Sequence, residues 1–289
     1  MTQRRLPKYV LPEGTPKNWF TNLYRDTLNL GFSISFVVVG KRTGISKTYG
    51  TARLAEMLDP YGFNAGSVKK HYLFYAHDYI KTIREIKPYQ WILFDEPGRA
   101  GSGGSKQEWQ THSNRALSST CQVSRFQLPV SAFIVPHKGY IASQIFGLAQ
   151  IMLVFTARGF CKVYHIEVSE FDGKIYTPYL GSLQLGFPSE DIIDAIELKK
   201  SAMWKEDTEK WSNDIDKAIR KRMSPLDQAK EILSKGSLNN IKTEKLGESV
   251  ISAKLIKQEL NVPTSRSYEI KYSLETLLNT PHTQDLKSK

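Results

Sequence analysis

Lys47 and Thr48 stand side by side at the head of a segment with helical apolar spacing, behind a basic, glycine-containing loop, GKRTGISKT over residues 40–48. That order suits a bound polyphosphate. Backbone N–H groups at a helix N-terminus wrap the phosphates, the lysine reaches the β- and γ-phosphates, and the hydroxyl ligates magnesium. Gly40, Lys41, Arg42, Thr43, Gly44, Ile45, Ser46, Lys47, Thr48 and Tyr49 are therefore the candidate nucleotide-binding residues. Against the strict spacing G-x-x-x-x-G-K-[ST], the first position falls on Lys41, Gly40 comes one place early, and Ser46 precedes the lysine. A Cβ at Ser46 restricts the backbone where glycine is usual. The competing reading is an ordinary basic turn between strand and helix.

Asp95 and Glu96 close the apolar run WILFDE at residues 91–96. Phosphoryl transfer needs a metal-holding carboxylate and a second acid that polarises the attacking water, both fixed on a rigid element. Asp95, acting through water, and Thr48 are the candidate magnesium ligands, and Glu96 is the candidate base. An apolar run ending in two acids is common by itself, but its place after the loop joins the two motifs into one site. Transition-state charge also calls for a cation, often an arginine from a neighbouring subunit. Arg115 and Arg125 are the candidates, with surface solubility or DNA contact as alternatives. His137, just past a predicted strand, is read either as a γ-phosphate sensor or as a structural histidine. The glycine-rich loop at 98–106 (GRAGSGGSK) has no lysine–threonine pair opening a helix, so it is not a second phosphate loop.

The elements that must position these groups follow from apolar patterning. Strands are predicted at 33–39 (SISFVVV), 71–75 (HYLFY), 91–94, 130–135 (VSAFIV), 151–155 and 162–168 (KVYHIEV), with helices from Thr48 and over 78–86. Such alternation predicts an α/β unit over residues 31–187, with a parallel sheet covered by helices on both sides. Residues 139–157 carry no charge but include Ser143, Gln144 and Gln150, so they read as a buried helix at 141–149 followed by a core strand. No integral membrane segment is expected. A charged connecting helix over 188–223 follows, capped by Ser189 with Glu190 and Asp191 in its first turn.

Ser224-Pro225-Leu226-Asp227 opens a last domain, residues 224–289. Within it Leu255, Ile256 and Leu260, a turn at Asn261-Val262-Pro263, and then Ile270 and Leu274 have helix-turn-helix spacing. This predicts a small helical, winged-helix-like domain that presents Ser265, Arg266, Lys271 and Tyr272 to a DNA major groove. A hairpin of helices that only packs would show a similar core pattern.

The chain has 289 residues and a formal net charge of +11, which favours a polyanionic partner, DNA first. Its basic start, MTQRRLPKYVLPEG, lacks the apolar run of a secretory signal, so residues 1–30 read as an arm and a helix. Only Cys121 and Cys161 are present, too few for a disulfide framework, and a cytoplasmic setting is expected.

The stretches VVVGKRTGISKTYGTARLAEMLD, WILFDEPG and NRALSSTCQVSRFQLPVSAFIVPH resemble the P-loop ATPases of archaeal plasmids and viruses, allied to the HerA/FtsK DNA translocases, over roughly residues 31–168. The resemblance implies a P-loop NTPase fold of the RecA/ASCE type with ATP and Mg2+ as cofactors. It assigns Lys47 and Thr48 to phosphate and magnesium, Asp95 and Glu96 to metal and water, and Arg125 to a finger role. It further implies a ring of identical subunits that moves or remodels DNA. The alternative is a non-enzymatic DNA-binding regulator with a degenerate loop.

Overall fold

The computed structural model describes residues 7–40, 44, 46–97, 112–245, 248–260 and 262–279. Lys41, Arg42, Thr43, Ile45, the glycine-rich loop 98–106 and Asn261 lie outside the described residues. The chain forms two compact units, Met1–Ser201 and Ala202–Lys289.

In the first unit, helix α1 (Trp19–Asn29) precedes strand β1 (Ile34–Gly40), helices α2 (Lys47–Leu58) and α3 (Ala65–His71), and strand β2 (Tyr72–Leu73). Next come α4 (Ala76–Glu85), β3 (Trp91–Asp95), α5 (His112–Val123), β4 (Val130–Ile134), α6 (Ser143–Leu148) and β5 (Ile151–Ala157). Strand β6 (Phe160–His165), a small hairpin of β7 (Glu167–Val168) and β8 (Ile175–Tyr176), and β9 (Tyr179–Gln184) complete the unit. Seven strands form one sheet in the order β2-β3-β4-β1-β5-β6-β9. From β2 to β5 every pairing is parallel.

β6 and β9 depart from the expected parallel sheet, because both pair antiparallel. Only Arg158 and Gly159 separate β5 from β6, far too few for a crossover, and Gly159 takes a φ of +68° at that turn. The strand expected over 162–168 therefore ends at His165, and Glu167–Val168 joins the separate hairpin. The second expected strand shrinks to Tyr72–Leu73, since His71 is the last residue of α3. Residues 139–157 divide among a 3-10 turn (Lys138–Tyr140), α6 and β5. Among the described residues no helix is long and apolar enough to cross a membrane.

The inner strands are apolar throughout because both faces are covered. On one face Val37, Val39, Ile92, Phe94 and Phe133 pack against Tyr79, Ile83, Leu117 and Ile145 of α4, α5 and α6. On the other, the rings of Phe36 and Trp91 stack 5.2 Å apart, and Trp91 Nε1 donates to the Tyr24 hydroxyl of α1 at 3.0 Å. Each such side chain contributes roughly 1.5–3 kcal/mol when fully buried, which holds the strands rigid beneath their carboxyl ends. Asp59, buried at the end of α2, accepts the N–H groups of Tyr61 (2.8 Å) and Trp91 (3.0 Å). Burial still pushes its carboxyl up from the ordinary value. The helix that begins at Lys47 is thus tied at its far end to the first residue of the strand that ends at Asp95.

The boundary between the units falls inside helix α7 (Glu190–Arg222). The second unit continues with α8 (Pro225–Ser234), whose N-cap Ser224 accepts the Asp227 N–H at 3.1 Å. A hairpin of β10 (Lys242–Lys245) and β11 (Glu248–Ile251) precedes α9 (Ala253–Leu260) and α10 (Thr264–Asn279). Ile232, Ile241, Ile256, Val262, Ile270 and Leu274 form the core of this unit.

Candidate nucleotide-binding site

Parallel pairing aligns the carboxyl ends of β1, β4 and β3. Ile134 of β4 faces Val38 of β1 on one side and Asp95 of β3 on the other. Gly40 ends β1, and α2 starts at Lys47 after the loop that contains Gly44. The next residue, Thr48, is buried and its Oγ1 donates to Asp95 Oδ2 at 2.9 Å. Asp95 is 4% exposed, so its carboxylate depends on protein donors. Tyr72 supplies one, its hydroxyl lying 2.5 Å from the same Oδ2. Burial first, and the Asp95 charge second, hold that phenol well above its usual range, so it stays protonated and donating.

Lys200, from α7, supplies the cation. Its Nζ lies 3.4 Å from Asp95 Oδ2 and donates to Thr48 Oγ1 at 3.2 Å. It also stands 6.0 Å over the Tyr49 ring. Tyr49 itself is held by α7, because its hydroxyl hydrogen-bonds the Glu197 carboxylate. Glu197, Lys200 and Tyr72 were not among the residues singled out from the sequence. Tyr72 carried a weak signal as a polar ring in an apolar strand; a lysine within the charged run of α7 carried none.

Lys47, half-buried, and Glu96, exposed, line the same pocket as Thr48, Asp95 and Lys200, with Pro136 beyond β4 on its wall. Two of its residues hold left-handed backbone. Ser46 has φ 59° and ψ 36°, the conformation that glycine adopts most readily, and its hydroxyl does not cap α2. Glu96 has φ 53°, and its N–H donates to the Ile134 carbonyl at 2.8 Å, so the chain turns sharply as it leaves β3. Such backbone costs on the order of 1–3 kcal/mol and concentrates at functional sites.

The other candidates are not gathered here. Arg115 is exposed in the first turns of α5. Arg125 lies in a 3-10 turn (Ser124–Gln127) and lines a cavity with Ile34 and Ile151, the first residues of β1 and β5. That is the end of the strands opposite Lys47. His137 caps the turn after Pro136 by accepting the Gly139 N–H on Nδ1 at 3.1 Å.

In the second unit, Arg266 was expected on the exposed side of α10 and is instead turned inward. Its side chain is 25% exposed and donates to the Met223 carbonyl, to Gln228 at 3.3 Å and to Glu269 at 3.1 Å. The start of α10 packs against α8, so a long side chain there finds carbonyl and amide acceptors before it finds solvent. Lys271 pairs with Glu275 at 3.6 Å, while Ser265 and Tyr272 are exposed. Tyr268, one helical turn from each, is exposed too.

A mostly parallel sheet flanked by helices, with β4 between the strand before the loop and the strand ending in Asp95-Glu96, brings the lysine–threonine helix start and the two acids to one end of an α/β fold. Comparison with family models and with curated proteins finds no match. Among solved structures, the chain is similar to the N-terminal domain of zonular occludens toxin from Neisseria meningitidis, at 10% identity and a TM-score of 0.35, covering 56% of this chain and 98% of that one. It is also similar to the genome packaging NTPase B204 from Sulfolobus turreted icosahedral virus 2, at 9% identity and a TM-score of 0.32, over 51% of this chain and 98% of the other. The cytoplasmic domain of the Thermomonospora curvata Type VII secretion ATPase EccC aligns at 10% identity and a TM-score of 0.29, over 55% of this chain and 24% of its own. Identities and scores this low transfer neither activity nor partner.

Magnesium fits the donor set. A threonine hydroxyl and a carboxylate are the hard oxygens that this ion prefers, and the ammonium of Lys200 within reach of both shows that positive charge is stabilised at that point.

Proposed function

We propose that the chain binds MgATP between the start of α2 and the ends of β1 and β3, and hydrolyses it to move or remodel DNA. The observation that carries the reading is the 2.9 Å contact of Thr48 with Asp95, which joins the helix after the loop to the strand that ends in two acids. Lys47 bridges the β- and γ-phosphates, and Thr48 and Asp95 hold magnesium, which when bound neutralises charge on the phosphates. Glu96, at the lip of the same pocket, orients the attacking water and takes its proton. Arg115 or Arg125 completes the charge balance in a neighbouring subunit of a ring, which suits the distance of Arg125 from its own site. A net charge of +11 supports DNA as the partner. ATP and phosphate-release assays on the full chain, with and without duplex DNA, test the reading. Lys47→Ala should abolish nucleotide binding, whereas Glu96→Gln should bind normally and turn over about 10²–10⁴-fold more slowly. Unchanged turnover in Lys47→Ala would sink the assignment.

The strained Ser46 favours a second reading, a DNA-binding regulator in which nucleotide binds as a switch. Binding without turnover in the parent chain would select it.

A further inference from the structure

We infer that Lys200 is a built-in counter-cation that occupies the magnesium position of the nucleotide site and competes with the metal for it. The inference rests on the nucleotide-site reading and adds a regulatory residue to it. Asp95 is a buried carboxylate, and a buried charge needs a partner. Thr48 and Tyr72 donate hydrogen bonds to it, and among the described residues the cation that pairs with it is Lys200. Its Nζ meets Asp95 Oδ2 and Thr48 Oγ1 together, at 3.4 and 3.2 Å, and these are the two groups that would hold the metal.

The position is built into α7. Ile192 and Ile196 are buried beneath that helix, and Glu197, one turn before Lys200, takes the Tyr49 hydroxyl. Lys199 donates to the carbonyls of Val68 (3.2 Å) and Lys69 (2.8 Å) in the last turn of α3, where a cation suits the exposed carbonyls. Anchored on both sides, the turn delivers the Lys200 stem to the pocket. A divalent cation and an ammonium repel strongly at such separation, so both cannot share Thr48 and Asp95. Loading the metal therefore requires Lys200 to swing out. Its flexible stem and three donors permit the move.

The test is a magnesium titration of the full chain at a fixed concentration of a fluorescent, non-hydrolysable ATP analogue, comparing the parent with Lys200→Met, Lys200→Gln and Lys200→Arg. Removing the charge should lower the magnesium needed for half-maximal binding by roughly three- to ten-fold, the low end for a charged hydrogen bond because the lysine is a third exposed. Lys200→Arg should stay near the parent. Melting in EDTA supplies an independent readout. The two neutral variants should melt below the parent there, and the gap should close once metal and analogue saturate. An unchanged or raised magnesium requirement overturns the inference, as does weakening of the analogue by the same factor at every magnesium level, which would make Lys200 a phosphate ligand. If the parent binds no analogue at any magnesium concentration, the nucleotide reading falls and the inference with it; superimposable binding curves remove the inference alone.

Discussion

Ser46 sits where the loop hands over to α2, in a left-handed conformation that an L-residue adopts at a cost of roughly 1–2 kcal/mol. Glycine removes the strain but loses about 0.5–1 kcal/mol through its freer unfolded chain. Ser46→Gly should therefore be neutral to about 1 kcal/mol stabilising, and Ser46→Val, with its branched Cβ, destabilising. Urea denaturation of the two variants checks the order, and a loss of stability in Ser46→Gly would show that the site does not use this backbone. At this scale the sequence was informative wherever chemistry followed spacing. Lys47, Thr48, Asp95 and Glu96 could be named because a loop, a helix start and a strand end bracket them. Lys200 could not, since it lies 152 residues from Thr48 and one lysine in a charged helix looks like the next. Arg266 illustrates the converse. Its type suggested a groove contact, and only the packing of α10 reveals acceptors waiting for it in the Met223 and Gln228 region.

Helix α2 carries Lys47 and Thr48, the proposed phosphate-binding end of the site, and lies close to the sheet. Gly50, which closes its first turn, allows this, because a Cβ there would collide with the ring of Phe155 on β5. A glycine inside a helix costs about 1 kcal/mol in propensity relative to alanine, so its presence is explained by the close approach. Gly50→Ala should lose roughly 1–3 kcal/mol through overpacking, less that propensity gain, and nucleotide affinity should fall with it as α2 is pushed off β5. Stabilisation by the same substitution, which propensity alone demands, would contradict the packing argument. The strands were legible as apolar runs, because burial on both faces leaves no polar residue to interrupt them. Strand direction was not, since periodicity is the same for parallel and antiparallel neighbours. Gly159 in a two-residue connection was the available sign that β6 must turn back.

At the scale of the molecule, the first unit hides ionisable groups that its chemistry does not use. Cys161 is buried and Cys121 half-buried, and burial pushes each thiol up to about 12. The folded values lie above the unfolded value of 9.0, so their contribution to stability is complete below about pH 9 and is lost as pH rises toward about 12. The phenols of Tyr24 and Tyr79 shift in the same direction. Denaturation midpoints should fall steadily as pH rises above about 9, and near pH 8 an alkylating reagent should label both thiols slowly until denaturant is added. Stability that stays level through the alkaline range would refute the burial argument. The sheet's two rims are also unequal. At one end β2 is two residues long and offers almost no backbone to a newcomer; at the other, β9 presents six, with Tyr179 and Leu180 exposed. A strand rim with unmet N–H and C=O groups is a template for another strand. Because the described residues carry such a template on one side, two copies joined rim to rim would use both templates at once, and association by that route would close at a two-fold pair without propagating into a filament.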